Sequence, residues 1–104
     1  MSLEDLYAIL KATGYPVAYS HFKEKTSLPF ITYVVTDSEN FFADNKTYKK
    51  VDDVQIELYT NKKDLEAEKK LENLLDANEI AYETSEIWID SEKVFQKNYE
   101  VRLI

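Results

Sequence analysis

Apolar residues near the N-terminus repeat at the spacing of an α-helix. From Leu3 to Leu10 they fall at positions i, i+3, i+4 and i+7, so they form one stripe along a helix. Ser2 can cap the start of this helix, and Gly14 can supply the left-handed residue that ends it. The pattern therefore predicts a first helix over Leu3–Thr13.

A second helical pattern lies further along the chain. From Ala67 to Leu75 the apolar residues fall at i, i+4, i+7 and i+8, and charged residues fill most other positions. Asn61 is the predicted N-cap, and Asp64 is expected in the first turn, where a carboxylate interacts favourably with the helix dipole. We expect this helix to end near Asn78.

Five segments have the composition or the alternation of β-strands. Phe30–Thr36 is rich in β-branched and aromatic residues, which is typical of a central strand. Val54–Tyr59 alternates apolar and polar positions, which is typical of a half-buried strand. The predicted strands are Val17–Phe22, Phe30–Thr36, Val54–Tyr59, Ala81–Ile89 and Val94–Leu103.

The segment between the second and third predicted strands has the composition of a hairpin. Asp37–Asn40 is predicted to be a turn, and Asp44-Asn45-Lys46 is predicted to be the hairpin tip. Two adjacent phenylalanines in an extended segment cannot both point into one core, so one is expected to be exposed to a partner. A loop that folds back and buries both is the alternative. The candidate interface residues are Phe41, Phe42, Asp44, Asn45, Lys46 and Tyr48.

The predicted element order is α-β-β-β-α-β-β, which indicates an α+β fold with a mainly antiparallel sheet. Each helix has only one apolar stripe, so we expect both helices on one face of the sheet. We expect Tyr33 and Tyr59 on the opposite face, with Phe41, Phe42 or Trp88 as further candidates. No repeat or linker interrupts the sequence, so residues 1–104 are treated as a single domain. The helix residues expected to contact the sheet are Leu6, Leu10, Leu71, Leu74 and Leu75.

Composition removes several kinds of chemistry. The 104-residue chain has no Cys, one His and one Gly, so disulfides, thiolate metal sites and glycine-rich phosphate loops are excluded. A formal net charge of −7 disfavours nucleic acid as a tightly held ligand. The longest apolar run, Phe30–Val35, is too short to span a bilayer. We therefore expect no bound metal or cofactor and no association with a membrane.

Candidate catalytic residues are few. The tightest acidic pair is Asp52-Asp53; we interpret it as a solvated turn, because adjacent strand residues point to opposite faces and cannot jointly flank a bond. His21 follows Ser20, but the sequence offers no positioned third group for nucleophilic catalysis. The expectation is that the protein is not an enzyme, and an enzyme using two carboxylates is the least favoured alternative.

Charge is distributed unevenly along the chain. Seven acidic residues and no Lys or Arg fall between Leu71 and Glu92, whereas lysines gather in Lys46–Lys50 and in Lys62–Lys70. One explanation is ordinary solubilising charge. The other is a polar molecule whose acidic side meets the basic side of another copy, a head-to-tail contact that can close into a ring.

Three segments carry a resemblance to a known family: Leu28–Tyr33 (LPFITY), Asn40–Tyr48 (NFFADNKTY) and Val54–Thr60 (VQIELYT). They resemble the small tail-completion proteins, also called tail terminators or head-to-tail joining proteins, of long-tailed bacteriophages and prophages of Gram-positive hosts. Lys62-Lys63-Asp64, Glu68–Leu75 and Ile80–Glu83 continue the similarity over most of the chain.

The resemblance implies a structural virion protein of small α+β fold without enzymatic activity. Such a protein assembles as a ring, expected to be a hexamer, on the end of the tail tube and presents a surface to the head connector. DNA passes through the lumen of the ring. The implied location is the virion, and the bacterial cytoplasm before assembly. The alternative from the sequence is a cytoplasmic interaction module, a small adaptor or inhibitor that docks an acidic face on a partner.

Overall fold

The computed structural model describes residues 1–43 and 46–104, and for residues 39–50 within these ranges it describes the backbone alone. Within these ranges, two helices and five strands follow the predicted order α-β-β-β-α-β-β, so the α+β fold is confirmed. The elements are α1 (Leu3–Lys11), β1 (Val17–Tyr19), β2 (Phe30–Ala43), β3 (Lys46–Thr60), α2 (Leu65–Ala77), β4 (Tyr82–Ile89) and β5 (Val94–Leu103).

The five strands form one sheet in the order β1-β2-β3-β5-β4. The short strand β1 runs parallel to β2, and all other neighbours are antiparallel. Ile56 in β3 lies opposite Tyr33 in β2 and Tyr99 in β5. The sheet is therefore mainly antiparallel, as the run of strands in the sequence predicts.

Both helices begin at side chains that satisfy free backbone N–H groups. The Ser2 hydroxyl accepts from Asp5 N–H at 3.1 Å, and the Asp5 carboxylate accepts from Ser2 N–H at 3.1 Å, which completes a capping box. In α2 the predicted cap is wrong. Asp64, not Asn61, has the extended backbone of an N-cap, and its carboxylate accepts from Ala67 N–H at 3.0 Å.

The core lies between the two helices and one face of the sheet. Leu6, Leu10, Leu71 and Leu75 are fully buried and belong to one cluster with Ile31, Ile56, Leu58 and Tyr99. Leu74, predicted to contact the sheet, is only half-buried, because it lies beside the stripe formed by Leu71 and Leu75. The packing of both helices on one face is as predicted.

Tyr33 lies on the helix side of the sheet, so its predicted place on the opposite face is wrong. Ile31 and Tyr33 share a face because strand residues alternate, and Tyr33 is 7% exposed. Its ring centroid lies 6.3 Å from that of Tyr7 in α1. Tyr59 does lie on the opposite face, since it is an odd number of positions from the buried residues Leu58 and Ile56.

The strands β2 and β3 are longer than the sequence predicts. Asp37–Asn40, predicted to be a turn, is part of β2, and the pairing with β3 shifts by one residue between Val35 and Asp37. The polar segment therefore continues the strand through an irregularity in register instead of ending it. Neither helix in the described part of the chain is long and apolar enough to cross a bilayer.

Candidate functional site

A two-stranded extension of the sheet is the first candidate site. β3 pairs with β5 only from Asp52 to Thr60, and β1 reaches β2 only at Ile31–Tyr33. Beyond those limits, Glu39–Ala43 of β2 and Lys46–Val51 of β3 pair with each other alone in the described part of the chain. We call these two segments the arm. At about 3.3 Å per residue, the arm extends roughly 15–20 Å past the other strands.

Four of the six predicted interface residues belong to the arm. Phe41 and Phe42 lie in β2, and Lys46 and Tyr48 lie in β3. Asp44 and Asn45 lie outside the described residues. The register steps from Phe41 opposite Lys49 to Phe42 opposite Thr47, so β3 has one extra residue there. The interface assignment itself stays a prediction, because only the backbone of these positions is described.

The second candidate is the sheet face opposite the helices, which we call the open face. A connected set of polar side chains crosses it. Glu57 in β3 accepts hydrogen bonds from Thr32 Oγ1 at 2.7 Å, Gln55 Nε2 at 3.0 Å and Gln96 Nε2 at 3.2 Å. Gln96 Nε2 also lies 2.6 Å from Asn98 Oδ1. Within the described elements, no helix covers this face.

Aromatic rings line a cleft at one end of the open face. The centroids of Phe22 and Phe30 are 5.2 Å apart, and those of Phe30 and Tyr59 are 4.9 Å apart. Burial raises the pKa of the Tyr59 hydroxyl, and the nearby Glu57 carboxylate raises it further. The cleft is open and measures about 800 Å³. Among the described residues, no buried side-chain polar atom lacks a hydrogen-bond partner, so the cleft presents no orphaned group to a ligand.

The third candidate is the outer edge of the sheet at β4. In the described chain, β4 pairs only with β5, and its register is continuous from Tyr82 to Ile89. Two large apolar side chains of this strand are exposed: Ile87 at 56% and Trp88 at 45%. β4 contains Glu83 and Glu86 and no basic residue. An edge strand of this length without Lys, Pro or a bulge is open to pairing with another strand.

Part of the acidic span is used inside the molecule. Tyr99 donates its hydroxyl hydrogen to Glu72 Oε2 at 2.7 Å, and burial together with this carboxylate raises the pKa of Tyr99. Glu86 lies 2.7 Å from Lys63 Nζ and 3.4 Å from Lys97 Nζ. The acidic residues Glu79, Glu83 and Glu92 are exposed. Solubility alone therefore does not explain all of the acidic residues between Leu71 and Glu92.

An ion-pair cluster around the buried carboxylate of Glu68 joins α2 to the sheet, and the sequence did not indicate it. The Glu68 side chain is 8% exposed; its carboxylate lies 2.8 Å from Lys63 Nζ and 3.6 Å from Lys97 Nζ. Lys63 Nζ also lies 5.4 Å from the centroid of the Phe95 ring. A charged residue in a helix normally indicates an exposed position, so the sequence gives no sign that Glu68 is buried. Its partner Lys97 is 29 residues away in sequence, so no local pattern predicts this contact.

The candidate catalytic residues do not converge. Asp52 and Asp53 lie in β3 and not in a turn, which corrects that interpretation. Ser38 Oγ donates to Asp52 at 2.9 Å, whereas Asp53 accepts from Arg102 Nε at 2.8 Å. His21 is exposed, with Nδ1 3.2 Å from Ser20 Oγ. In the part of the chain that the structure describes, no three His, Asp or Glu side chains are grouped as metal ligands.

Comparison with known proteins gives no relative from which a role could be transferred. No protein-family model matches the chain, and no curated protein matches it either.

Proposed function

We propose that this protein is a structural virion protein that caps the tail tube of a long-tailed bacteriophage or prophage and joins the tail to the head. It acts as a ring of identical copies, six in our proposal, and catalyses no reaction. The resemblance of Leu28–Tyr33, Asn40–Tyr48 and Val54–Thr60 to tail-completion proteins suggests this role. The observation in the fold that supports it best is the arm.

The arm has the properties expected of an assembly element. Its strands continue past β1 on one side and past β5 on the other, so both of its outer backbone edges lack a neighbour within the described chain. Backbone N–H and C=O groups at such edges can bond to another protein. Phe41, Phe42 and Tyr48 concentrate aromatic residues there, and aromatic anchors carry much of the energy of protein interfaces.

The proposed ring protein has three kinds of partner. Copies of the chain form the ring, the tail tube protein lies on one side of it, and the head connector protein lies on the other. DNA passes through the lumen without being held. The open face carries Glu57, Glu83 and Glu100, and a wall with acidic side chains repels a DNA duplex and leaves it free to slide. The protein reaches the virion from the bacterial cytoplasm.

Substitution in the arm tests the proposal. The double variant Phe41→Ser, Phe42→Ser should keep the fold, because it leaves unchanged the cluster in which Leu6 and Leu71 of the helices pack against Ile56 of the sheet, but heads should fail to join tails in a phage that carries it. A matched control replaces two exposed apolar residues outside the arm, Leu65→Ser with Ile104→Ser. The control should complete particles normally. The readouts are circular dichroism of the purified protein and electron microscopy of the particles.

Two results would contradict the proposal. Complete particles from the folded arm variant would show that the arm does not make the contact. Unfolding of the arm variant would place the two phenylalanines in the core and remove the local support for assembly. If neither variant affects particles and the protein instead binds a basic host protein, the alternative role as an acidic interaction module is favoured.

A further inference from the structure

We infer that the ring is closed by strand pairing between the outer edge of β4 in one copy and the β3 side of the arm in the next copy. This inference rests on the proposed self-assembly and names the two surfaces that meet. It combines two backbone edges that lack a partner in the described chain. One is the outer edge of Tyr82–Ile89, and the other is the edge of Lys46–Val51 that continues the line of β5.

The two edges are of similar length. β4 offers eight residues in continuous register, and the free part of β3 offers six. A strand laid beside Lys46–Val51 would extend the sheet at the position that β5 leaves after Leu103. Main-chain hydrogen bonds between added strands supply affinity without requiring a groove.

Charge selects the β3 side of the arm over the β2 side. The arm segment of β3 contains three lysines, Lys46, Lys49 and Lys50, whereas the arm segment of β2 contains Glu39 and no basic residue. β4 carries Glu83, and Glu79 precedes it. Opposite charges on paired strands are favourable and like charges are unfavourable. An acidic β4 therefore pairs with the lysine-bearing strand.

The resulting interface is head-to-tail. One copy contributes β4 and the next copy contributes the arm, so the two surfaces in contact are different. Each added copy therefore leaves one free β4 and one free arm at the two ends of the growing assembly. A contact of this type forms a ring when its rotation closes. A pairing of β4 with β4 would instead give a two-fold dimer and could not extend.

Disulfide trapping tests this pairing in the purified full-length protein, because the chain has no Cys of its own. The first variant combines Ser85→Cys in β4 with Thr47→Cys in the arm, and a second uses Thr84→Cys to cover the neighbouring register. No disulfide can form within one copy. Ser85 aligns through Asn98 with Glu57, and Thr47 lies ten positions along β3 from Glu57. That separation is roughly 33 Å, far beyond the ~7 Å that a disulfide spans between Cα atoms.

Mild oxidation of the concentrated protein should give a ladder of dimers, trimers and larger species that a reducing agent collapses to monomer. The matched control, Thr47→Cys with Ala8→Cys on the exposed side of α1, should stay monomeric. Adding Glu83→Lys to the trapping variant should weaken the ladder, and adding Lys49→Glu as well should restore it.

Three outcomes would overturn the inference: no ladder from either β4 position, an equal ladder from the Ala8 control, or dimers from Ser85→Cys alone. The last would show β4 paired with β4. The test is independent of the virion role. A ladder from a protein that plays no part in tail assembly would establish the interface and refute the proposed function. A protein that joins heads to tails but gives no ladder would support the proposed function and refute the interface.

Discussion

Replacing Glu68 with Gln should destabilise the protein because it removes the buried charge of an ion-pair cluster and leaves two lysines with one partner fewer. The Glu68 side chain is 8% exposed, with Lys63 Nζ at 2.8 Å and Lys97 Nζ at 3.6 Å. Breaking a fully buried pair by removing one partner costs about 3–5 kcal/mol. The cost is smaller here, because Lys63 is 43% exposed and both lysines keep Glu86 as a partner. We expect a loss of about 1–3 kcal/mol.

The matched control for this substitution is Glu66→Gln. Glu66 lies in the same first turn of α2 as Glu68, but it is exposed, so both variants lose the same kind of interaction with the helix dipole. The control should lose no more than about 0.5 kcal/mol. Urea and thermal unfolding followed by circular dichroism at neutral pH measure the difference, which corresponds to a melting temperature lower by roughly 4–15 °C. Equal stability of the two variants would show that the ion pairs of Glu68 contribute no more than an exposed carboxylate does.

Two further predictions concern the core and the pH dependence. Leu71→Ala, at a fully buried position, should cost roughly 2–5 kcal/mol, whereas Leu65→Ala, at a 71% exposed position, should change the free energy of unfolding by less than about 0.5 kcal/mol. A hydrogen bond from Lys63 holds the pKa of Glu86 below its usual value of 4.5. A carboxyl with a lower pKa in the folded state adds stability above its unfolded pKa and loses it as the pH falls through the folded pKa. The unfolding midpoint of Glu86→Gln should therefore fall less than that of the native protein as the pH drops below 4.5, and parallel profiles would contradict this.

The fold class was predictable because the element signals in this sequence are local. The helical stripe beginning at Leu3 and the β-branched run Phe30–Thr36 each report their own conformation, and both are present in the structure. The turn predicted at Asp37–Asn40 was wrong. A run of polar residues indicates a turn only where a strand in its place would have to bury one of its faces. Where β2 passes into the arm, Asp37 and Ser38 are exposed, and polar residues are compatible with a strand there.

The candidate site was less predictable, since its features depend on contacts between distant parts of the chain. Alternation predicts that Ile31 and Tyr33 share a face, but it does not say which face the helices cover. The burial of Glu68 depends on Lys97 in β5. The exposed edge of β4 follows from the strand order, which places the fourth strand outside the fifth. The arm follows from the difference in strand lengths and not from any single motif.

Electron microscopy of particles assembled without this protein tests the proposed role most directly. The phage or prophage that encodes it would be induced with the gene deleted, and again with the gene restored from a plasmid. We expect heads without attached tails, or tails of uncontrolled length, in the deletion, and joined particles of uniform tail length after restoration. Complete particles with tails of normal length in the deletion would contradict the proposed role.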